Sequence, residues 1–379
     1  MRKIMNRLFI LSVLSAFLLL ITCCKESTRN QVSLLEISPN TPTDHDWLAI
    51  ADTTIIPLET TEECLLGQIS EIYNVDSEWY ILTHENNVLK FDKSGKYISS
   101  IGKRGNGPGE FLRINAMAIN DGKIYLIEGN QQKVCVYDTD GKWMEDIAGT
   151  DCLKFAMAMK ASADGRFLVV NGISFKKELP LFGVWDPSEP QQLCPVVETD
   201  YTSHGSYGWA LQPMASYRKD FLALKPLSST VYHLNPETAQ CDSLINIADI
   251  LPTERETSGE YQKALSGTLS QKGNPIMGVA TAGDFALITM LKSFAMVYLP
   301  TGEWWYTKTI GMSMQKAPLP FMLTQIGCSV DNSVVCVVEA STYLNVYAEK
   351  PEFGRLCPTE VDSEDNPVLM IYTLKFSGE

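Results

Sequence analysis

Two stretches of this chain have residue types and spacing that could do chemistry. In His204-Gly-Ser-Tyr-Gly-Trp209 a serine stands between glycines. A nucleophile elbow needs a glycine two residues before its serine, a strand-turn-helix context and an α/β-hydrolase domain around it. His204 occupies that position, so Ser206 is not read as a nucleophile. His204, Tyr207 and Trp209 are read as aromatic surface on which a sugar ring could stack. The loop Gly102-Lys-Arg-Gly-Asn-Gly-Pro-Gly-Glu-Phe111 holds four glycines. Its backbone N–H groups could cradle a phosphate, but no Lys-Ser or Lys-Thr pair follows to open a helix. The loop therefore reads as a connection with Phe111 as its plug, and only Arg104, Asn106 and Glu110 could add binding. Ser162-Ala-Asp-Gly165 reads as a hairpin turn. The histidines His45, His84, His204 and His233 are too far apart for a zinc spacing signature. No motif indicates a cofactor. Calcium or another oxygen-ligated ion stays open, because Asp, Asn and carbonyl ligands leave no spacing pattern.

These residues have to be held by something, and the pattern of the chain says what. Short β-branched and aromatic runs separated by Gly, Asp, Asn and Pro predict an all-β fold. One run repeats: Trp79–Thr83, Val88–Asp92, a Lys-Ser-Gly turn and Lys96–Ile101 match Lys123–Glu128, Val134–Asp138, a Thr-Asp-Gly turn and Lys142–Ile147. The residue before the turn recurs as Phe91, Tyr137, Trp185, Leu234, Leu299 and Tyr372, at intervals of 46, 48, 49, 65 and 73. The first three intervals suit a four-stranded propeller blade. Helical insertions at Thr253–Leu269 and Ser341–Glu349 would account for the last two. The prediction is a six-bladed β-propeller whose last blade lacks an outer strand, and Thr53–Glu59 closes the ring by pairing with Leu369–Phe376. Pro57 is tolerated in an outer strand because one side is free.

In such a ring, the B–C loops and the connections between blades share one face, the default place for a site. That face is expected to carry His84, Glu85 and Asn86, then Arg104, Glu128 and Asn130, then Asn171 and Lys176, the His204–Trp209 loop, Lys225, Lys292 and Glu339. Its charge is mixed. Glu85, Glu128 and Glu339 are the carboxylates that could serve as acid, base or ion ligand.

Arg2, Lys3 and Arg7 precede an apolar run, Leu8–Ile21, that is short for a membrane span and suits a signal peptide. The run ends in Leu20-Ile21-Thr22-Cys23, which resembles a bacterial lipobox and implies lipidation at Cys23. The expected order is signal peptide 1–22, flexible tether 23–46 and propeller 47–379. Eight cysteines beyond Cys23 and Cys24 show no CxxC spacing and read as small buried hydrophobes, with Cys328 and Cys336 flanking a hairpin turn expected at Asp331-Asn332. With 31 basic against 45 acidic residues and a net charge of -14, the surface is wrong for nucleic acid.

Ile56-Pro-Leu-Glu-Thr60, the Gly102–Phe111 loop and Asn366-Pro-Val-Leu-Met-Ile-Tyr372 together resemble the six-bladed propeller lipoproteins of Bacteroidetes, similar in pattern to NHL repeats. The resemblance covers nearly the whole mature chain. It implies an address in the cell envelope, outer-membrane anchoring through lipid, and no assigned activity. The expected function is non-catalytic binding of a glycan, peptide or envelope protein. The alternatives are an enzyme of lactonase, lyase or glycosidase type with channel-mouth carboxylates, and a purely structural part of an envelope complex.

Overall fold

The computed structural model describes residues 34–41, 46–172, 179–198, 212–225, 228–248, 250, 274–290, 292–307, 325–349, 357 and 359–377. Six antiparallel sheets follow one another as blades. We letter the strands of each blade A to D from inner to outer. Blade one is Ile69–Val75, Glu78–Thr83, Val88–Phe91 and Tyr97–Ser100. Blade two is Ala116–Asn120, Lys123–Glu128, Lys133–Asp138 and Trp143–Ala148. Blade three is Ala156–Ala161, Phe167–Asn171, Phe182–Trp185 and Leu193–Val197. Blade four is Met214–Tyr217, Asp220–Leu224, Thr230–Asn235 and Gln240–Ile247, and blade five is Ile276–Ala282, Phe285–Met290, Phe294–Tyr298 and Glu303–Thr307. Blade six is Gln325–Val330, Ser333–Val338, Val368–Phe376 and, on its outer edge, Leu48–Pro57.

The A strand of each blade touches that of the next, and blade six touches blade one, so the sheets form a closed ring. The core is divided in the same way. Among the described residues six apolar clusters form, and each takes its side chains from two neighbouring blades. Strand C of blade one, Val88–Phe91, is buried at every position because both faces of the sheet are covered. The outer strand Trp143–Ala148 has one edge in solvent and is largely exposed or half-buried. The repeat that marks the blades in sequence is a cross-strand pair: Trp79 faces Phe91, Ile124 faces Tyr137, Phe167 faces Trp185 and Phe221 faces Leu234. Blade six follows with Val334 and Tyr372. In blade five the member is Tyr298, opposite Phe285, and not its neighbour Leu299.

Ring closure uses the predicted partner strands, with the N-terminal strand beginning earlier, at Leu48, and ending at Pro57. Leu48–Pro57 runs antiparallel to Val368–Phe376, with Thr53 opposite Tyr372, Ile55 opposite Met370 and Ile56 opposite Leu369. Ile55 packs into the cluster between blades five and six, and Ile56 into that between six and one, so alternate side chains of one strand serve two interfaces. Asn366 locks the same junction. Its Oδ1 accepts the Leu66 N–H at 2.8 Å, and its Nδ2 donates to the carbonyls of Glu59 at 2.6 Å and Cys64 at 2.9 Å. Of the two expected insertions, a helix forms at Ala340–Glu349, and Thr253–Leu269 lies outside the described residues. Asp331 turns the predicted hairpin with φ of 51°. Cys328 and Cys336 sit on its two strands but are not opposite each other.

The tether expectation needs correction at one place. Leu35–Ile37 is a strand, paired in parallel with the outer strand of blade four. The Ala248 N–H donates to the Ile37 carbonyl at 2.8 Å, and Asn246 donates to the Glu36 carboxylate at 2.8 Å. Farther on, Trp47 stacks on Phe285 of blade five at 6.3 Å and leans on Phe376 of blade six at 6.4 Å. A three-residue strand is too short to show a period of two, and the Ser and Pro around it read as a linker.

Ile37 is fully buried, whereas its neighbour Leu34 is 47% exposed. Ile37→Ala is expected to cost about 2–4 kcal/mol by the usual figures for emptying a core site, and Leu34→Ala next to nothing. Denaturant unfolding of the two variants checks this. Equal stability would mean that the strand is not held in solution.

Candidate functional site

The B–C loops and inter-blade connections do share a face, and the structure sorts the predicted residues on it into two kinds. Some build the ring. Glu128 ends strand B of blade two with no solvent exposure. Its Oε2 accepts the N–H groups of Leu112 and Arg113, both at 2.6 Å, and its Oε1 accepts that of Asn130 at 2.9 Å. A carboxylate is used here because three convergent backbone donors need charge-assisted acceptors when water is excluded. Asn86, at φ of 67°, accepts the Ile114 N–H at 2.7 Å. Asn171 is buried and donates to the Pro180 carbonyl at 2.8 Å. These groups hold connections in place.

The others face solvent. His84, Glu85, Arg104, Asn130, Lys292 and Glu339 are exposed, and Lys225 is half-buried with its ammonium 4.1 Å from the centre of the Tyr232 ring. The His84 N–H bonds the Gln68 carbonyl at 2.8 Å, which pins the blade-one loop to the closing connection. Glu85 lies over Gly67, where an added Cβ would come within 2.4 Å of the carboxylate. The Glu339 carbonyl accepts the Tyr343 N–H at 2.9 Å and starts the blade-six helix. Lys176, His204, Tyr207 and Trp209 lie outside the described residues. Among the described residues, no three His, Cys, Asp or Glu side chains gather as a metal ion would require.

The Gly102–Phe111 loop has a structural explanation. Lys133 reaches under it to the Gly107 carbonyl at 3.2 Å and to Asp146 at 2.9 Å. Asp146 also accepts the Gly109 N–H and the Trp143 indole N–H. Burial pushes the Asp146 pKa up, but these donors pull it below the usual carboxylate value. Gly109, at φ of +68°, could not carry a side chain, since a Cβ would meet Trp143 Cδ1 at 2.5 Å. Tyr137 donates its hydroxyl to the Gly109 carbonyl. Beside it, burial pushes the Cys135 thiol up to about 12, which leaves it an inert thiol at neutral pH. Arg104 is exposed on this clamped loop, as are Lys103, Asn106 and Pro108.

One constellation was missed by the sequence reading. Met117, in strand A of blade two, directs its N–H and C=O away from its own sheet. Glu71 accepts that N–H at 2.9 Å, and the Tyr73 hydroxyl donates to that carbonyl at 2.7 Å. The inner edge of a blade is an unpaired strand edge, and blade one satisfies it with side chains. The same Tyr73 hydroxyl lies 3.1 Å from Glu71 Oε2, 3.2 Å from the Met159 carbonyl of blade three and 3.1 Å from Lys160 Nζ. Lys160 also stands over the Tyr73 ring, 4.2 Å from its centre. Burial raises the Glu71 pKa, and Lys160 pulls the other way without cancelling it. Three ionisable groups from two blades thus meet at the wall of the channel.

Glu128→Ala would strand the N–H groups of Leu112 and Arg113. It is expected to lower stability by about 2–4 kcal/mol, the usual cost of unsatisfied buried groups bonded to a charge. Thermal unfolding and any ligand titration should then move separately, because the residue supports the site from below.

Residues 48–373 match the profile of a family described as a domain of unknown function, DUF4934. No curated protein matches the sequence. Among solved structures, a Bacteroides fragilis protein named as one thought to be exported aligns with a TM-score of 0.67 at 16% identity, over 91% of this chain and 100% of its own. A member of the DUF4221 family from Bacteroides vulgatus aligns with a TM-score of 0.54 at 10% identity, over 87% of this chain and 98% of its own. At such identities the likeness is one of fold. The match from blade-six closure through the last blade shows that this chain belongs to the DUF4934 family.

Proposed function

We propose that the protein is a cell-envelope lipoprotein, anchored through Cys23, that binds a glycan, peptide or partner protein on the B–C face without chemical turnover. The observation that carries this reading is the division of labour on that face. Glu128, the buried carboxylate among the candidates, spends its acceptors on three backbone N–H groups. An acid or base must exchange protons with a substrate, and a carboxylate held this way has no role to play in that exchange. The exposed groups His84, Glu85, Arg104, Lys292 and Glu339 are of mixed charge and are spread over blades one, five and six and the first connection. That arrangement suits recognition by several dispersed contacts. The likeness to a Bacteroides protein thought to be exported, with the apolar run before Cys23, supports the envelope address.

Two experiments test the proposal. Cys23→Ser should leave the precursor uncut and unlabelled by radioactive palmitate; persistent labelling would end the claim for that cysteine. The soluble propeller should be screened against glycans, peptides and divalent ions by thermal shift. A ligand at a hundred times its Kd stabilises by about 2.7 kcal/mol, a rise of several degrees. The rise should fall on changing His84, Glu85 or Lys292 to Ala and survive a change at Asp121 on the opposite face. Turnover of a lactone or glycoside by the wild type, lost in Glu85→Gln, would favour the enzyme reading instead.

A further inference from the structure

The described parts of the six inner strands contain two charged residues, Glu71 and Lys160. They bracket one tyrosine. Lys160 Nζ donates to the Tyr73 hydroxyl at 3.1 Å; Glu71, on the same hydroxyl, is the carboxylate that feels its charge, and no carboxylate oxygen among the described residues lies within ion-pair distance of it. Its two other N–H donors point to no protein acceptor among the described residues. Tyr73 is fixed by the Met117 and Met159 carbonyls, and Glu71 by the Met117 N–H. The ammonium is therefore held in place before any ligand arrives, which is where binding gains most from rigid groups.

We propose that Lys160, with Tyr73 and Glu71, forms a site in the channel for a single carboxylate carried by a small ligand. The charge around it sets the class. A monoanion completes the hydrogen bonds of Lys160, whereas a dianion such as phosphate would meet Glu71 with a second charge to repel. The A–B turns act in the same direction. Five of the six A–B turns carry an aspartate, Asp76, Asp121, Asp164, Asp284 and Asp331. In blade four, Arg218 stands there instead and is paired to Asp284 at 2.9 Å. Asp164 is paired in the same way to Arg166 at 2.6 Å, and the remaining acids of this ring oppose a dianion more than a monoanion. This site deepens the binding role proposed above and rests on that reading of the face.

A bound carboxylate beside Glu71 disfavours the ionised form of Glu71, since neighbouring like charges do so. Binding should therefore take up a proton and weaken as pH rises through the Glu71 titration. The groups facing Glu71 are Lys160, Tyr73 and the Met117 N–H.

The test is calorimetric titration of the mature propeller with D-galacturonate, with N-acetylalanine and with the uncharged methyl ester of galacturonate. At least one acid should bind, and its ester should bind at least about tenfold more weakly, the usual worth of a hydrogen bond to a charged group. Binding of the sugar acid alone assigns the source as a uronic acid, and of N-acetylalanine alone as a peptide carboxylate. Lys160→Met should lose at least about tenfold while Lys160→Arg keeps most of the affinity. Glu71→Gln should remove the pH dependence of binding, an outcome that a merely structural role would not give. Melting curves confirm that each variant is folded. If neither acid binds, if the ester binds as well as its acid, or if Lys160→Met binds like the wild type, the site is wrong. The binding role of the outer face would then stand or fall separately, on the thermal-shift screen with His84 and Glu85 variants.

Discussion

The pairing of Leu48–Pro57 with Val368–Phe376 is the constraint on which the rest depends. Five of the blades are hairpin repeats that the chain can build locally. The sixth is made from both ends, and only when it forms does blade six acquire the face that packs on blade one. The cluster between them mixes Leu369 with Ile56, Trp79 and Phe91, from which it is separated by most of the chain. Contacts of such long range add entropy cost before they return any stabilisation, so the junction should be late to form and decisive once formed. Asn366 bonds Glu59, Cys64 and Leu66 at this seam, and so makes a polar lock over an apolar one.

The face above the ring inherits this rigidity. A connection between blades has backbone groups that no sheet satisfies, and the structure meets them with buried side chains at the ends of strand B. Glu128 does so for the first connection, and Asn86 extends the same support from the blade-one loop. Polar residues on this face therefore have two fates. Those pointing down into the connections are framework, and those pointing outward are available to a ligand. The inner wall follows the same rule, since Glu71 and Tyr73 cap the free edge of blade two and in doing so hold Lys160 in a fixed place.

Much of the fold was legible in the sequence because propeller blades repeat. The pair Trp79–Phe91 and its successors is spaced regularly, and Ile55-Ile56 had no partner except the unmatched last strand. Leu35–Ile37 was not legible, because three residues carry no period and a parallel partner more than two hundred residues away leaves no local trace. The site was less legible still. His84, Glu85 and Lys292 could be assigned to B–C loops from strand order alone. The same order could not tell Glu128, which is buried framework, from Glu85, which is exposed, because burial depends on where the neighbouring connection passes. Glu71, Tyr73 and Lys160 come together from blades one and three, and no spacing links them.

The claim that the two ends of the chain close the ring as one cooperative unit is tested most directly by native-state hydrogen exchange along both strands. The account predicts that the protected amides around Ile55 and Met370 exchange together, with the same opening free energy as the core strand Val88–Phe91, because losing either strand opens the ring. If the amides of Leu48–Pro57 exchange far faster than those of Val368–Phe376, like a fraying terminus, the N-terminal strand is an accessory and the closure account is contradicted.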